Sequence, residues 1–328
     1  LDQTLKRQRG FLNEPVLGAG LRPVRLWWIA ARPFSFPASS MPVLLGTTAA
    51  VSLGGATFKP LLFLAALIGV LLLHAGANLL ADVRDFAKGL DREILPVSGG
   101  VVRGLITPTQ ALQAGAVCFV LGSALGFYLA FNVSLSILAI GAAGVAAGFF
   151  YTTAPFALKY RALGDAAIFL SFGLLGSLGA WTVQTGEVSW IPVILALPTA
   201  LMIVAIVHAN NWRDIRNDTR HGCKTVASIL GPRGCRAYFT TLICTPYLLI
   251  TVFVLNSWLA PNSVKLPPSA LIVFLSLPLA LTLLKRTPHT NSSNTLTMLD
   301  GNTAKLNLFF GTLYVAALIL DSVFFKTA

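Results

Sequence analysis

The sequence is poor in charged residues. Asp, Glu, Lys and Arg make up only 11% of its 328 residues, against about a quarter of a typical soluble domain. They are crowded into short segments between long apolar stretches, and 55% of the chain is hydrophobic. Because a charge inside a bilayer is costly, this distribution excludes a soluble domain and predicts an integral, multi-pass protein in contact with the lipid bilayer.

Cysteine and histidine are also scarce, with four of each. The sequence has no CxxC pair and no HExxH motif, so it predicts neither a disulfide framework nor a zinc site. The net charge of +12 is compatible with nucleic acid binding. The basic residues, however, lie beside apolar stretches and not in one patch with interleaved aromatic residues. This placement favours lipid contact and excludes nucleic acid as a partner.

Several apolar stretches are long enough to cross a hydrocarbon core, which takes about 20 helical residues. Nine such stretches are present: 26–53, 60–84, 108–130, 134–153, 163–184, 190–212, 236–258, 268–284 and 305–325. They are too long for barrel strands, and helices satisfy their own backbone hydrogen bonds in lipid. The predicted fold is therefore all-α, with nine transmembrane helices in residues 26–328 after a polar, basic segment at 1–25.

The distribution of Lys and Arg predicts the orientation. With the N-terminus inside, 21 of the 24 basic residues fall in inside segments, and the outside segments hold only Lys59, Lys265 and Lys326. This bias predicts a cytosolic N-terminus and cytosolic loops after the second and sixth spans. We expect a bacterial plasma membrane, with a eukaryotic endomembrane or a plastid membrane as alternatives.

The second span ends in a polar run that contains Asn78, Asp82 and Asp85, spaced four and three residues apart. Residues with this spacing share one face of a helix. Two carboxylates one turn apart repel each other unless a cation lies between them, and at the end of an apolar helix water screens that repulsion poorly. The run therefore indicates a cation site.

The sixth span ends with the same pattern. Asn211, Asp214 and Asp218 are spaced three and four residues apart, on the same predicted membrane side as the first motif. Oxygen ligands without His or Cys suit Mg²⁺, and two facing clusters would hold Mg²⁺ around a diphosphate. One cluster alone could equally be a solvated helix end. Two copies, each with an Asn one turn deeper, favour the metal site.

A third polar region lies between the fourth and fifth spans. From the residues alone, Tyr151 is an interface anchor, while Lys159 and Arg161 are charges on the cytosolic side. Arg32 lies about one turn inside the first span, which favours a functional role over simple snorkelling to the interface.

Five stretches together resemble the UbiA superfamily of intramembrane aromatic prenyltransferases. They are Arg32-Pro-Phe-Ser-Phe36, Asn78 through Asp91, Lys159-Tyr-Arg-Ala-Leu-Gly-Asp165, Asn210 through Thr225, and Thr303-Ala-Lys-Leu-Asn307. The resemblance is closest to the menaquinone branch, which includes 1,4-dihydroxy-2-naphthoate polyprenyltransferases and vitamin K₂ synthase-like proteins. Ala81 precedes Asp82 where many relatives have Asn, a departure that the vitamin K₂ synthase-like proteins share.

The resemblance implies nine helices around a central cavity with an Asp-rich cap on the cytosolic side. It implies Mg²⁺ as cofactor, a polyprenyl diphosphate as donor and an aromatic naphthoate or naphthoquinol as acceptor, in menaquinone or vitamin K₂ biosynthesis. The implied catalytic residues are Asp82, Asp85, Asp214, Asp218, Tyr151 and Lys159. The four Asp residues are also the implied metal ligands, with Asp91 as a further one. The implied diphosphate contacts are Arg32, Asn78, Arg103, Lys159, Asn211 and Lys224.

Two alternatives remain open at this point. One is another UbiA-type transferase that acts on 4-hydroxybenzoate, homogentisate or a tetrapyrrole. The other is a transporter with intramembrane carboxylates. Transporters usually place such groups near the middle of the bilayer, whereas these Asp residues lie at helix ends, which favours the enzyme.

Overall fold

The computed structural model describes residues 23–89, 99–259, 264–287 and 296–324. Within these ranges the chain is helical, and its one β feature is an isolated bridge between Arg161 and Lys224. The all-α prediction is therefore confirmed. The α-helices are α1 Pro23–Ala31, α2 Pro37–Ser52, α3 Pro60–Lys88, α4 Pro108–Asn132, α5 Ser136–Phe150, α6 Gly164–Ile168, α7 Gly176–Thr185, α8 Ile191–Arg220, α9 Val226–Leu259, α10 Leu277–Lys285 and α11 Leu299–Phe324.

Two of these helices are extended by other helical turns. A π-helical turn, Phe169–Leu175, joins α6 to α7, so that the segment runs from Gly164 to Thr185. A 3₁₀ segment, Pro268–Ser276, leads into α10. The long helix α9 has a break at Gly231, where a φ of 66° suits a residue without a side chain.

In the described ranges, seven segments are long and apolar enough to cross a membrane, and they match seven of the nine predicted spans. The predicted span 26–53 is instead broken. Arg32 has a φ of 55°, and the 3₁₀ turn Pro33–Ser35 separates α1 from α2. The predicted span 134–153 is a helix of only 15 residues, α5. Seven spans fit an integral, multi-pass membrane protein; the full set of nine spanning helices is not confirmed.

The sequence explains where many helices begin. Proline occupies the first position of α1, α2, α3 and α4, where its missing N–H is not needed and its fixed φ suits the helix. Thr107 also caps α4, accepting a hydrogen bond from the Gln110 amide, and the Gln110 side chain accepts one from the Thr107 amide in return. These signals place the helix starts that orient the polar residues below.

Helix α8 is the central helix of the bundle and packs against α9, α11 and α2. Large side chains around it, such as Trp212, Phe239 and Phe310, are fully buried. Because α8 is fixed along its length, the polar residues at its end are held at a defined position in the bundle.

Helices α3 and α4 approach closely at small residues. A side chain at Gly76 would lie 3.1 Å from the Gly115 carbonyl oxygen, and one at Gly122 would lie 3.0 Å from the Gly69 carbonyl oxygen. Helix α5 behaves differently. Gly144 has open space where a side chain would be. The small residues of α5 therefore leave a groove.

Candidate active site

A polar cavity lies between α3, α5, the π-helical turn and α8, and has an empty volume of about 1030 Å³. Its polar lining consists of Arg32, Ser35, His74, Asn78, Asp85, Tyr151, Lys159, Ser171, Asn210, Asn211 and Asp300. Six of the residues that the sequence predicts as site residues are in this lining: Arg32, Asn78, Asp85, Tyr151, Lys159 and Asn211.

Asp85 is the acidic residue of the first motif that faces the polar cavity. It is buried, and it accepts hydrogen bonds from Lys159 Nζ at 2.5 Å and from Tyr160 Oη at 2.8 Å. The ammonium group of Lys88 lies 3.3 Å from the centre of the Tyr160 ring. Burial raises the pKa of Tyr160, and the neighbouring Asp85 raises it further. The phenol is therefore neutral and acts as a hydrogen-bond donor.

Asp82 has a different environment, although the motif spacing predicts that it shares a face with Asp85. It is fully buried and does not line the polar cavity. Its carboxylate accepts hydrogen bonds from Arg32 Nη2 at 3.2 Å and from the Val101 amide at 2.8 Å. A side chain at Gly99 would lie 2.3 Å from this carboxylate. The turn after α3 therefore packs directly on Asp82.

The second motif is organised around Arg213. This guanidinium donates to Asp214 with two parallel hydrogen bonds, Nε to Oδ1 at 2.9 Å and Nη2 to Oδ2 at 2.8 Å. It also donates to Asp300 Oδ2 at 2.7 Å and to Asn210 Oδ1 at 3.1 Å. Such bidentate, charge-assisted bonds fix orientation well. Asp214 is consequently held beside the polar cavity, one turn beyond Asn210 and Asn211.

Asp300 is a cavity residue that sequence reasoning missed. It lies in the first turn of α11, is 1% exposed and lines the polar cavity. A single Asp after a polar loop carries little signal. The one sequence feature that could have indicated it is its position just before an apolar span, since Asp85 and Asp214 lie at the ends of apolar spans.

Tyr151 connects the two motifs. It lies just past the end of α5, and the side chains whose charges act on its hydroxyl are Lys159, Asp165, Asp85 and Asp218. Burial raises the pKa of Tyr151, Lys159 opposes this rise, and the three carboxylates reinforce it. Asp85 comes from the first motif and Asp218 from the second. Asp85 of α3 and Asn211 of α8 also line the polar cavity together with Tyr151, so the ends of the two helices meet at this tyrosine.

The two predicted Asn residues are oriented by their amide nitrogens. Asn78 Nδ2 donates to the Ala31 carbonyl oxygen and to Ser35 Oγ, each at 3.1 Å. Asn211 Nδ2 donates to Asp165 Oδ1 at 3.4 Å. In both cases the nitrogen is bound to the protein, so the side-chain oxygen is the atom left to bind a ligand in the cavity.

Five of the described residues that the sequence predicts as site residues are not in the cavity lining: Asp82, Arg103, Asp214, Asp218 and Lys224. Asp218 is buried. Arg103 lies in the turn that covers Asp82, where its amide donates to the Gly99 carbonyl oxygen at 3.3 Å. Lys224 has an exposed side chain, and its carbonyl oxygen accepts from the Ala162 amide at 2.6 Å. Asp91 lies outside the described residues. Their assignment as ligand contacts therefore stays a prediction.

The donor atoms at this site fit Mg²⁺ in their chemistry. In the ranges that the structure describes, no three Asp, Glu, His or Cys side chains are grouped to hold a metal by themselves. Mg²⁺ does not require such a group, because it usually takes one or two carboxylates and completes its shell with phosphate oxygens and water. Asp85, Asn78 and Asn211 present oxygen donors of this kind on the cavity wall.

An apolar groove adjoins the polar cavity. It lies between α3, α4, α5 and α7, has an empty volume of about 980 Å³ and shares Ala77, Gly148, Ser171 and Phe172 with the cavity lining. Much of its surface is formed by glycines: Gly69, Gly122, Gly126, Gly141, Gly144, Gly148, Gly176 and Gly179. The groove therefore exists where the α5 glycines leave room.

Comparison with known proteins identifies the family. Residues 39–320 match the model of the UbiA prenyltransferase family. The chain is 34% identical over 295 residues to UbiA prenyltransferase domain-containing protein 1 of Mus musculus, a match that covers 89% of this chain and 83% of the mouse protein. The corresponding protein of Danio rerio is 35% identical over 295 residues, with the same coverage of both chains.

Solved structures show the same fold at low sequence identity. An apo UbiA homolog from Aeropyrum pernix K1 superposes with a TM-score of 0.63 at 16% identity, covering 92% of this chain and 99% of that one. A UbiA homolog from Archaeoglobus fulgidus, bound to DMAPP and Mg²⁺, gives 0.56 at 14% identity, covering 88% and 99%. The same archaeal protein bound to GPP and Mg²⁺ gives 0.56 at 15% identity, covering 89% and 99%. The chain therefore belongs to the UbiA prenyltransferase family and is a prenyltransferase, which sets aside the transporter alternative.

Proposed function

We propose that the protein transfers a polyprenyl group, with Mg²⁺, from an allylic diphosphate to 1,4-dihydroxy-2-naphthoate or a related naphthoquinol, as in the menaquinone branch of the family. The observation that carries this proposal is a polar cavity that adjoins an apolar groove of similar volume. A prenyl diphosphate is divided in the same way, into a charged head and a hydrocarbon tail. The polar cavity would hold the head, and the groove would hold the tail.

Cations and oxygen donors have separate tasks at the diphosphate. Arg32 and Lys159 line the polar cavity beside their carboxylate partners, Asp82 and Asp85, and would donate to phosphate oxygens. Asp85 with Asn78 and Asn211 would hold Mg²⁺, together with Asp82, Asp214, Asp218 and Asp91. Bound Mg²⁺ supplies positive charge that makes diphosphate a better leaving group. The UbiA homolog from Archaeoglobus fulgidus bound to Mg²⁺ with DMAPP or GPP supports the use of Mg²⁺ with an allylic diphosphate.

The protein must protect the allylic cation until the acceptor reacts. Tyr151 stays neutral because burial raises the pKa of its phenol, so its ring face can stabilise a cation without being consumed by it. Phe172, Ile203 and Ile206 form an apolar wall of the cavity. This wall excludes water, which would otherwise capture the cation and hydrolyse the donor.

An aromatic cluster at the cavity supports a bicyclic acceptor, because His74 and Phe172 line the cavity and Phe36 packs against His74. The rings of Phe36 and Phe172 flank His74, with centroid distances of 5.6 Å and 4.8 Å to the imidazole. A naphthalene ring offers a larger face for contact with this cluster than a single benzene ring. The cluster lies one turn of α3 below Asn78, which is close enough for an acceptor ring to meet the allylic carbon.

The test is a direct assay of purified protein in detergent. The donors are prenyl diphosphates of increasing length, and the acceptors are 1,4-dihydroxy-2-naphthoate, a naphthoquinol, 4-hydroxybenzoate and homogentisate. We expect prenylated naphthalene products by mass spectrometry with Mg²⁺ and none with a chelator. Prenyl transfer confined to 4-hydroxybenzoate or homogentisate would refute the proposed acceptor, and undiminished transfer with chelator would refute the role of Mg²⁺.

Matched carboxylate variants test the site itself. Asp85→Asn should lower kcat about 100-fold or more, because the cavity loses the charge that holds Lys159 and metal. Glu187→Gln is the control, since Glu187 is exposed in the loop before α8. The 30 residues of α8 place that loop about 45 Å from the Asp-bearing end. Equal activity of the two variants would contradict the assignment.

A further inference from the structure

His74 belongs to a chain of hydrogen bonds that connects the polar cavity to the apolar groove. Its Nε2 lies 3.2 Å from Ser35 Oγ, and its Nδ1 lies 2.8 Å from Ser39 Oγ. Ser35 and His74 line the polar cavity, whereas Ser39 lines the apolar groove. The imidazole is packed between the rings of Phe36 and Phe172. The chain therefore passes through the junction where donor and acceptor would meet.

Both serines have an alternative acceptor for their hydroxyl hydrogen. Ser35 Oγ lies 2.8 Å from the Arg32 carbonyl oxygen, and Ser39 Oγ lies 3.1 Å from the Phe36 carbonyl oxygen. With Nδ1 protonated, His74 donates to Ser39, and Ser35 donates to Nε2. With Nε2 protonated, His74 donates to Ser35, and Ser39 donates to Nδ1. Every hydrogen is satisfied in each arrangement, so the proton positions can change while the heavy atoms stay in place.

We propose that Ser35 and His74 form a proton relay for the aromatic acceptor, with Ser35 contacting the acceptor hydroxyl and His74 as the base that receives the proton. The proposal rests on the prenyl transfer proposed above. Asn78 supports the arrangement, because its Nδ2 donates to Ser35 Oγ and holds that oxygen at the cavity wall. Ser35 can then donate to Nε2 and accept from the acceptor hydroxyl at the same time.

The reaction balances with this relay. The allylic C–O bond breaks, and its electron pair leaves with the diphosphate. The ring carbon forms the new C–C bond with the allylic carbon, and a lone pair of the hydroxyl oxygen forms C=O. The hydroxyl proton moves to Ser35, and the Ser35 proton moves to Nε2. The ring carbon then loses CO₂, or loses H⁺ to the departed diphosphate, and the proton returns from Nε2 through Ser35 to the oxygen as aromaticity is restored.

A second buried histidine, His208 on α8, has a different environment from His74 on α3. His208 packs beside Trp212 and Tyr238, and its Nε2 lies 3.2 Å from the Cys235 carbonyl oxygen. Among the described residues that line the polar cavity or the apolar groove, His208 is absent. His208 Nδ1 lies 3.9 Å from Asp165 Oδ2, and neither residue lines the cavity or the groove. His74, by contrast, has one hydroxyl partner in the polar cavity and one in the apolar groove.

The decisive variant is His74→Gln. Glutamine has one donor and one acceptor atom and can bond both serines, but it cannot take up a proton. We expect kcat for prenyl transfer to fall about 100-fold, in the range of general acid–base catalysis. The KM for the prenyl diphosphate should stay within about twofold, because the diphosphate contacts are unchanged. Without acceptor, the donor should be hydrolysed slowly when water reaches the cation, and the rate of this diphosphate release should be the same in His74→Gln as in the wild type, since ionisation does not use the relay.

Two serine variants keep the test decisive if His74→Gln lowers folding yield. Ser35→Ala should lower kcat at least about tenfold with the same unchanged KM, and Ser52→Ala, which loses only a bond to the Thr48 carbonyl oxygen, should retain wild-type kcat. Wild-type kcat in His74→Gln or in Ser35→Ala would overturn the relay. Loss of acceptor-free diphosphate release in His74→Gln would also overturn it, because the histidine would then act on ionisation.

The outcome for the acceptor is separate from the outcome for the relay. If the wild-type protein prenylates 4-hydroxybenzoate and not the naphthoate, the proposed acceptor fails. The relay is then measured on 4-hydroxybenzoate, which also carries a ring hydroxyl, and a fall in kcat of His74→Gln on that substrate supports it. An unchanged kcat on that substrate overturns it.

Discussion

The two Asp motifs have the same kind of sequence and different surroundings. Asp82 and Asp85 of the first motif are held by residues far away along the chain: Arg32, the Val101 amide, Lys159 and Tyr160. Asp214 of the second motif is held by its neighbour Arg213. The first motif therefore ties together several separate segments, whereas Asp214 is held within its own helix and linked outward through Arg213.

Because of this difference, we expect the carboxylates of the two motifs to contribute unequally to folding stability. A carboxylate that closes a buried ion pair between distant segments contributes to stability as well as to metal binding. A partly exposed carboxylate beside an adjacent Arg contributes little to stability, so that its main contribution is chemical. The predictions below are ranked by expected loss of folding stability.

The largest loss is expected for Asp82→Ala. The change removes the carboxylate partner of Arg32 and of the Val101 amide in a fully buried position. Breaking a buried pair from one side costs about 3–5 kcal/mol, and prenyl transfer should be lost as well. Chemical unfolding of the protein in detergent, followed by helical signal, measures the first effect, with Glu187→Gln as the control. If Asp82→Ala unfolds at the same denaturant concentration as the wild type, the Arg32–Asp82 pair does not stabilise the fold.

An intermediate loss is expected for Asp300→Asn. The amide keeps the shape of the side chain but removes the negative charge that faces Arg213 at 2.7 Å. Loss of a hydrogen bond to a charged group costs about 1.5–3 kcal/mol. Asp321→Asn is the matched control, because Asp321 lies on the same helix, α11, at its far end. If both variants unfold alike, Asp300 does not link α11 to the second motif.

The sequence predicted the overall fold well because hydropathy and helix length are local properties. Seven predicted spans match helices long enough to cross a membrane, and proline marks the start of several of them. The break at Arg32 was missed because an apolar run continues on both sides of it, and a positive φ leaves no trace in hydropathy. The length of α5 was overestimated because its apolar character continues into the Tyr151 segment.

The candidate site was predictable where the chemistry repeats and hidden where it depends on packing. The paired motifs identified Asn78, Asp85 and Asn211, all of which line the polar cavity. Helical spacing could not distinguish Asp82 from Asp85, because the turn at residues 99–101 that covers Asp82 comes from a later segment. Asp300 and His74 were missed for the same reason: each is a single polar residue whose role depends on what packs against it.

The smallest loss of stability is expected for Asp214→Ala, and this variant gives the sharpest contrast with Asp82→Ala. The Asp214 side chain is 27% exposed, and Arg213 would keep Asp300 and Asn210 as partners. The free energy of unfolding should therefore fall by less than about 1 kcal/mol. Prenyl transfer should nevertheless fall about 100-fold or more, because the metal loses a proposed carboxylate ligand.

Unfolding and transfer are measured on the same preparation, so that a change in one without the other is visible. A loss of stability as large as that of Asp82→Ala would mean that the carboxylates of both motifs stabilise the fold. Full activity would remove Asp214 from the metal site and leave the cavity carboxylates Asp85 and Asp300 to bind Mg²⁺.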